Sequence, residues 1–246
     1  MQLVANNQAH PKIMSLVDPG SNELVSMQWL VDLAEKYRWV LRQSRFYQSL
    51  ATATTPSEIQ GWVRQLYYMS SEFISSLALR SQLCPDPQFE PGFTQHSQEE
   101  SKHPEQLIAW MRQYGFLEPG ESPNSVPATL ETVALTAYLF HSVIRKPVPH
   151  QLIALNLVSE GVAFDFYSQV IPKLAELGLE NGLYWQVHTE LDQDHLMMDL
   201  DLIPVCDPSS PQGQAYAHTL WEAFSLYSQM LDSWSGLNRK SLSILS

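Results

Sequence analysis

The chain is poor in the residues that would point to several common function classes. Across its 246 residues there are only two cysteines, Cys84 and Cys206, which are too few for a disulfide framework and do not form a C-x-x-C pair. Lys and Arg together number 14 against 26 Asp and Glu, leaving a formal charge of −12. A chain this acidic lacks the basic stripe that displaces counterions from a phosphate backbone, so nucleic acid is not an expected partner. No stretch approaches 18 uninterrupted apolar residues, which argues against a membrane span. The opening Met-Gln-Leu-Val-Ala-Asn-Asn has neither the basic start nor the apolar run of a secretory signal. Two reduced thiols in a cytoplasmic protein is the expectation. No hairpin signal, no sustained alternation of apolar and polar residues, and no internal repeat is found.

What is present is helical periodicity. Residues 1–21 are polar, broken by Pro11 and Pro19-Gly20, and are expected to form an arm; residues 22–246 form a single domain. From Asn22 to Leu50 apolar residues recur at i, i+3 and i+4. Thr55-Pro56-Ser57-Glu58 is a helix start, and the helix it opens runs to about Leu83. A third helix spans Phe93 to Tyr114, with Pro104 expected to bend or divide it. Further helices are expected over Leu130–Arg145, from His150 to about Leu177, over Leu183–Leu202, and from Ala215 to about Trp234. Seven or so helices with short breaks make an all-α bundle.

Two of these helices carry the same unusual stripe. His188-x3-Asp192-x2-His195 places three polar residues at i, i+4 and i+7, within one arc of ~60°. Val187, Leu191, Leu196 and Met198 flank that arc, so the imidazoles and the carboxylate face a core, where unpaired polar groups are costly. His96-x3-Glu100-x2-His103 repeats the spacing, extended along its arc by Phe93, Leu107 and Trp110. Glu160 sits on a helix face with Ile153, Leu157, Ala163, Phe164 and Tyr167, where a carboxylate must be protonated or paired. One such histidine is more often a hydrogen-bonded core residue than a ligand. Two stripes and Glu160 together point to metal, and they are too many for a single zinc ion. Carboxylates that offset and bridge two divalent iron or manganese ions, with imidazoles as nitrogen ligands, fit a dinuclear site, and Glu100-x2-His103 has the spacing of a bundle dinuclear motif.

At these residues the chain resembles the heme-oxygenase-like diiron oxidases and oxygenases, a seven-helix superfamily. Within it the chain is most similar to the family of the chlamydial protein associating with death domains. The resemblance rests on Tyr184-Trp185-x2-His188-x3-Asp192-x2-His195, on Phe46-Tyr47, on Thr55-Pro-Ser-Glu-Ile-Gln and on Tyr67-Tyr68, and covers roughly residues 40–200. It implies a seven-helix heme-oxygenase-like bundle whose metal ligands are Glu100, His103, Glu160, His188, Asp192 and His195. It also implies two iron ions (or iron and manganese), dioxygen as co-substrate, and oxidation of a small amino-acid- or fatty-acid-like molecule. Tyr47 matches a tyrosine near that site, implying a redox or catalytic role, although anchoring two helices is an equally good account of it. Glu99 competes with Glu100 for the first carboxylate position. His96 falls outside the family's ligand set, and it is left as a seventh ligand, a partner of a ligand or a substrate contact.

Two other functions stand beside the oxidase. One is a metal-free hydrolase or binding protein of the thiaminase II kind, which needs a cysteine nucleophile facing the pocket. The other is a non-enzymatic interaction protein, for which no charge run or exposed apolar helix speaks. A heme site would not need so many inward carboxylates. Substrate, metal identity and oligomeric state, with a homodimer among the options, are not written in these residues.

Overall fold

The computed structural model describes residues 16–17, 24–25, 27–179, 182–188, 200–235 and 237. Helices dominate: α1 (Gln28–Leu41), α2 (Arg45–Thr52), α3 (Pro56–Leu83), α4 (Glu90–Glu100), α5 (His103–Gln113), α6 (Leu130–Arg145), α7 (Val148–Gln151), α8 (Gly161–Glu176), α9 (183–188) and α10 (Pro211–Trp234). A π-helix, Leu152–Glu160, joins α7 to α8 without a break. Among the described residues the strand content is a two-stranded antiparallel ladder, β1 (Leu16–Val17) with β2 (Leu24–Val25), pairing Leu16 with Val25 and Val17 with Leu24. The sequence carried no hairpin signal there because two residues per strand are too short for alternation to register. Most of the expected N-terminal arm lies outside the described residues, as does the middle of the expected Leu183–Leu202 helix.

Local chemistry sets most boundaries. Thr55 closes a capping box with Glu58, whose carboxylate accepts the Thr55 backbone N–H at 2.9 Å, and Pro56 occupies the first turn. The expected first helix is divided at residues 42–44. Gln43 and Ser44 donate to carbonyls three residues back, and Ser44 turns extended (ψ 163°) before α2 begins. The expected third helix is also divided, as Pro104 requires. It sits in the first turn of α5, where a missing N–H leaves no carbonyl stranded. The division falls between Glu100 and His103.

The 28-residue α3 runs along α4, α5 and α6, while α10 packs against α6, the π-helix and α1. All nine residues of the π-helix are buried, so this segment is the central element of the bundle. Burial of Ile153, Leu155 and Val158, none of them exposed, stabilises it by roughly 1.5–3 kcal/mol per side chain. Asp165 on α8 accepts bonds from both Arg38 (2.9 and 2.6 Å) and Arg42 (2.9 Å), which clamps α1 to α8 on the side of α8 remote from Glu160. Among the described residues, no helix is long and apolar enough to cross a membrane.

Candidate metal centre

Glu100 closes α4 and His103 opens α5, so the short turn between them sets the two side chains together. His188 reaches the same point from α9. All three are buried, and one ligand atom from each lies within 4.8 Å of the others. Two donors on opposite sides of one ion, each at ~2.1 Å, stand ~4.2 Å apart, so this spacing fits an ion with little adjustment.

Two hydrogen-bond details favour a metal over a simple polar cluster. His103 Nδ1 lies 2.5 Å from Glu100 Oε2, yet no hydrogen is aligned between them and the nitrogen has no hydrogen-bond partner. A buried nitrogen with no such partner is costly unless something else satisfies it. His188 Nδ1 is 2.5 Å from the Tyr184 carbonyl. A carbonyl only accepts, so the proton is on Nδ1, and Nε2 is the lone-pair nitrogen, the arrangement usual for a metal-binding histidine. The residues present therefore fit a metal ion.

Glu160, at the end of the π-helix, is held differently. Its Oε1 is 2.8 Å from His96 Nε2, and His96 Nδ1 is 3.1 Å from Arg80 Nη2. A guanidinium only donates, so His96 Nδ1 accepts and Nε2 carries the proton given to Glu160. Both ring nitrogens of His96 are thus engaged by protein groups, and the contact with Glu160 makes it that carboxylate's hydrogen-bond partner. Arg80 is itself fully buried, donates to Asn156 Oδ1 at 2.7 Å and lies 4.0 Å from the Phe93 ring centroid.

Glu100, Glu160 and His188 line one partly open cavity of about 70 Å³, whose remaining wall is mainly apolar, including Met69, Phe166 and Trp234. Tyr167 and Tyr227 also reach it. Tyr167 lies against His188 with centroids 4.0 Å apart and the rings tilted by 32°, and its hydroxyl is 2.7 Å from that of Tyr184. Burial pushes the Tyr227 phenol well up, a hydrogen bond with Ser159 opposes this and the Glu160 carboxylate adds to it, so the phenol keeps its proton.

Of the residues expected from the sequence, Glu100, His103 and His188 come together, and Glu160 lines the same cavity. Asp192 and His195 lie outside the described residues. Glu99 is exposed and is 2.9 Å from Gln95, which leaves Glu100 as the inward carboxylate. Tyr47 is not brought to the cavity. It is buried beside a separate hollow lined by Leu50, Gln169 and Lys173, its hydroxyl without a hydrogen-bond partner. Burial raises its phenol, Asp165 adds to this, and Arg42 and Arg38 oppose it. The reason is geometric: the α8 side that carries Asp165 is the one turned away from Glu160. Arg80 and Tyr227 carried no local signal, since their partners are far away in sequence. Tyr167 shares a helix face with Glu160, and that spacing was visible.

Residues 60–228 match the family described as iron-containing redox enzyme, a span that includes all six expected ligands. No curated protein sequence matches the chain. Among solved structures, a TenA homolog from Pseudomonas syringae pv. tomato superposes with a TM-score of 0.66 at 13% identity, covering 85% of this chain and 92% of that one. A domain of unknown function with a heme oxygenase-like fold from Shewanella denitrificans gives a TM-score of 0.66 at 15% identity, with coverages of 86% and 93%. A TenA homologue from Pyrococcus furiosus gives 0.52 at 14% identity, with coverages of 83% and 93%. At such identities these likenesses concern the fold. The chain has the heme-oxygenase-like all-α fold and belongs to the iron-containing redox enzyme family.

Proposed function

We propose that the protein is a dioxygen-dependent dinuclear metal oxidase or oxygenase acting on a small, largely apolar organic molecule. The observation that carries this is the convergence of Glu100, His103 and His188, with a buried His103 nitrogen that no hydrogen bond satisfies. Glu100, His103 and His188 would hold one ion, and Glu160 would ligate from the opposite wall; Asp192 and His195 complete the expected set. Two iron ions, or iron and manganese, would supply binding and reduction of dioxygen.

The chain's own residues have distinct tasks. His188 is kept in one tautomer by the Tyr184 carbonyl, so its Nε2 stays a donor to metal. Glu160 is fixed by His96 rather than left to swing. The apolar wall excludes water and receives the body of an amino-acid- or fatty-acid-like substrate, while the Tyr227 hydroxyl and Ser159 offer polar contacts beside Glu160. The acidic charge disfavours nucleic acid as a partner.

Metal-free hydrolase chemistry of the thiaminase II kind is the competing function, and the TenA homologues fit it in fold. It needs a cysteine in the cavity. Neither Cys84, half-buried after α3, nor Cys206, in the loop before α10, lines it, and burial pushes the Cys206 thiol up rather than activating it.

The test is anaerobic reconstitution with Fe(II). About two ions per chain are expected from the ligand set, followed by an absorbance change on exposure to oxygen. A folded sample that takes up no metal overturns the proposal.

A further inference from the structure

An unbroken run of oxidisable rings leads from the candidate metal centre to the surface. His188 touches Tyr167 and Tyr184, with centroids 4.0 and 4.5 Å apart. Tyr184 meets Trp185 edge-on at 5.0 Å, Trp185 meets Trp110 at 5.0 Å, and Trp110 meets Tyr114 at 5.4 Å. Tyr184 and Trp185 are fully buried, Trp110 nearly so, and Tyr114, just after α5, is partly exposed. Aromatic packing alone accounts for rings in contact. It does not account for every member of this run being tyrosine or tryptophan. The phenylalanine contacts, Phe166 on Tyr167 and Phe116 on Trp110, each at 5.3 Å, are side branches whose rings are much harder to oxidise.

We propose that Tyr184, Trp185, Trp110 and Tyr114 form an electron path that lets a solution thiol supply the centre when dioxygen is reduced without substrate. The proposal rests on the dinuclear oxidase function. Reducing one dioxygen to two waters takes four electrons and four protons. Two divalent iron ions becoming trivalent give two electrons, and substrate gives the other two when present. Without it the deficit falls on the nearest side chains, and damage there disables the site.

The path meets that deficit one electron at a time. Tyr184 loses a ring electron while its hydroxyl proton passes along the bond to the Tyr167 oxygen, whose own proton goes to the cavity; a proton from the cavity restores the pair when the ring is refilled. Trp185 then refills Tyr184; its Nε1 has no acceptor, so the indole keeps its proton and the step is electron transfer alone. Trp110 refills Trp185, and Tyr114 refills Trp110. At Tyr114 two thiols together give two electrons and two protons and become a disulfide. The sum is one dioxygen, two Fe(II), two thiols and two protons giving two waters, two Fe(III) and one disulfide.

The experiment loads the full chain with Fe(II), admits oxygen without organic substrate, with and without glutathione, and maps oxidised residues by peptide mass spectrometry. In the wild type, oxidation is expected on Trp110 and Tyr114, and glutathione suppresses it several-fold. Trp110→Phe and Trp185→Phe, both close in shape, should move the marks inward to Tyr184, Tyr167 and His188 and remove the protection. Trp62→Phe, off the path, should behave as wild type. An unchanged map and unchanged protection in both path variants overturn the electron path while leaving the oxidase standing. Absence of metal uptake or of any oxygen reaction in the wild type overturns both.

Discussion

His96 donates to Glu160 across 64 positions of sequence at 2.8 Å, and the direction of that bond is dictated by Arg80 on the other side of the imidazole. The arrangement makes Glu160 an oriented carboxylate before any metal arrives. Outer partners of this kind are worth about 10–100-fold in metal affinity. His96→Ala is expected to weaken Co(II) binding to the apoprotein by about that factor. His96→Gln, which keeps an N–H donor towards Glu160, should recover much of it. Calorimetric titration with monitored Co(II) absorbance checks this; equal affinity for wild type and His96→Ala would show that Glu160 needs no such support.

The cavity wall makes a second prediction. Ala163 stands one turn after Glu160 and lines the space a substrate body would fill. Ala163→Phe should leave metal content intact and abolish any stimulation of oxygen consumption by medium-chain carboxylates or aromatic amino acids. Stimulation that survives the substitution would place the substrate elsewhere.

Packing of the C-terminal segment makes a third. A Cβ added at Gly61 on α3 would sit 2.1 Å from the Leu237 carbonyl oxygen, a backbone atom that cannot turn aside. The expected cost of Gly61→Ala is about 1–3 kcal/mol, despite alanine's better helix propensity. Urea unfolding measures it, and an unchanged midpoint would mean that residue 237 does not rest on α3.

Acid sensitivity gives the fourth. Glu121 is held at about 2, below its ordinary 4.5, by hydrogen bonds from Arg64, with Ser125 and the Glu118 N–H adding to them. A carboxylate lowered in the fold contributes stability that is complete above its unfolded value and is lost as pH falls through the folded one. Glu121→Gln should therefore be less stable than wild type at neutral pH. The gap should narrow below 4.5 and close near pH 2, as read from urea midpoints across that range. A gap independent of pH would assign the loss to packing.

Much of the bundle was legible because its punctuation is local. Leu130–Arg145 and Pro56–Leu83 have the expected bounds, and Pro56 and Glu58 announce the second within one turn. Pro104 announced a division, and Glu100, His103 and His188 declared themselves as polar residues on apolar faces. What spacing cannot say is which neighbour a face meets. His96 has the same i, i+4 relation to Glu100 that His188 has to Asp192, yet it turns to Arg80 and Glu160 on other helices. Tyr47 matched a pattern but is packed on the far side of α8. The division at Ser44 follows from weak, three-residue closures that leave no strong mark in composition.

The π-helix was the least visible element, because its residues are an ordinary apolar run and its wider turn is imposed by packing. Each of its turns holds about one residue more than an α-helical turn. For anyone aligning relatives on this helix, it acts as a hidden insertion. A relative with a plain α-helix here would need a gap before Glu160. Without that gap, the register would drift and the wrong residue would be placed opposite His96. The same slack is a mutational handle: deleting one residue between 152 and 156 should restore an α-helical turn while rotating Glu160 away from its partner.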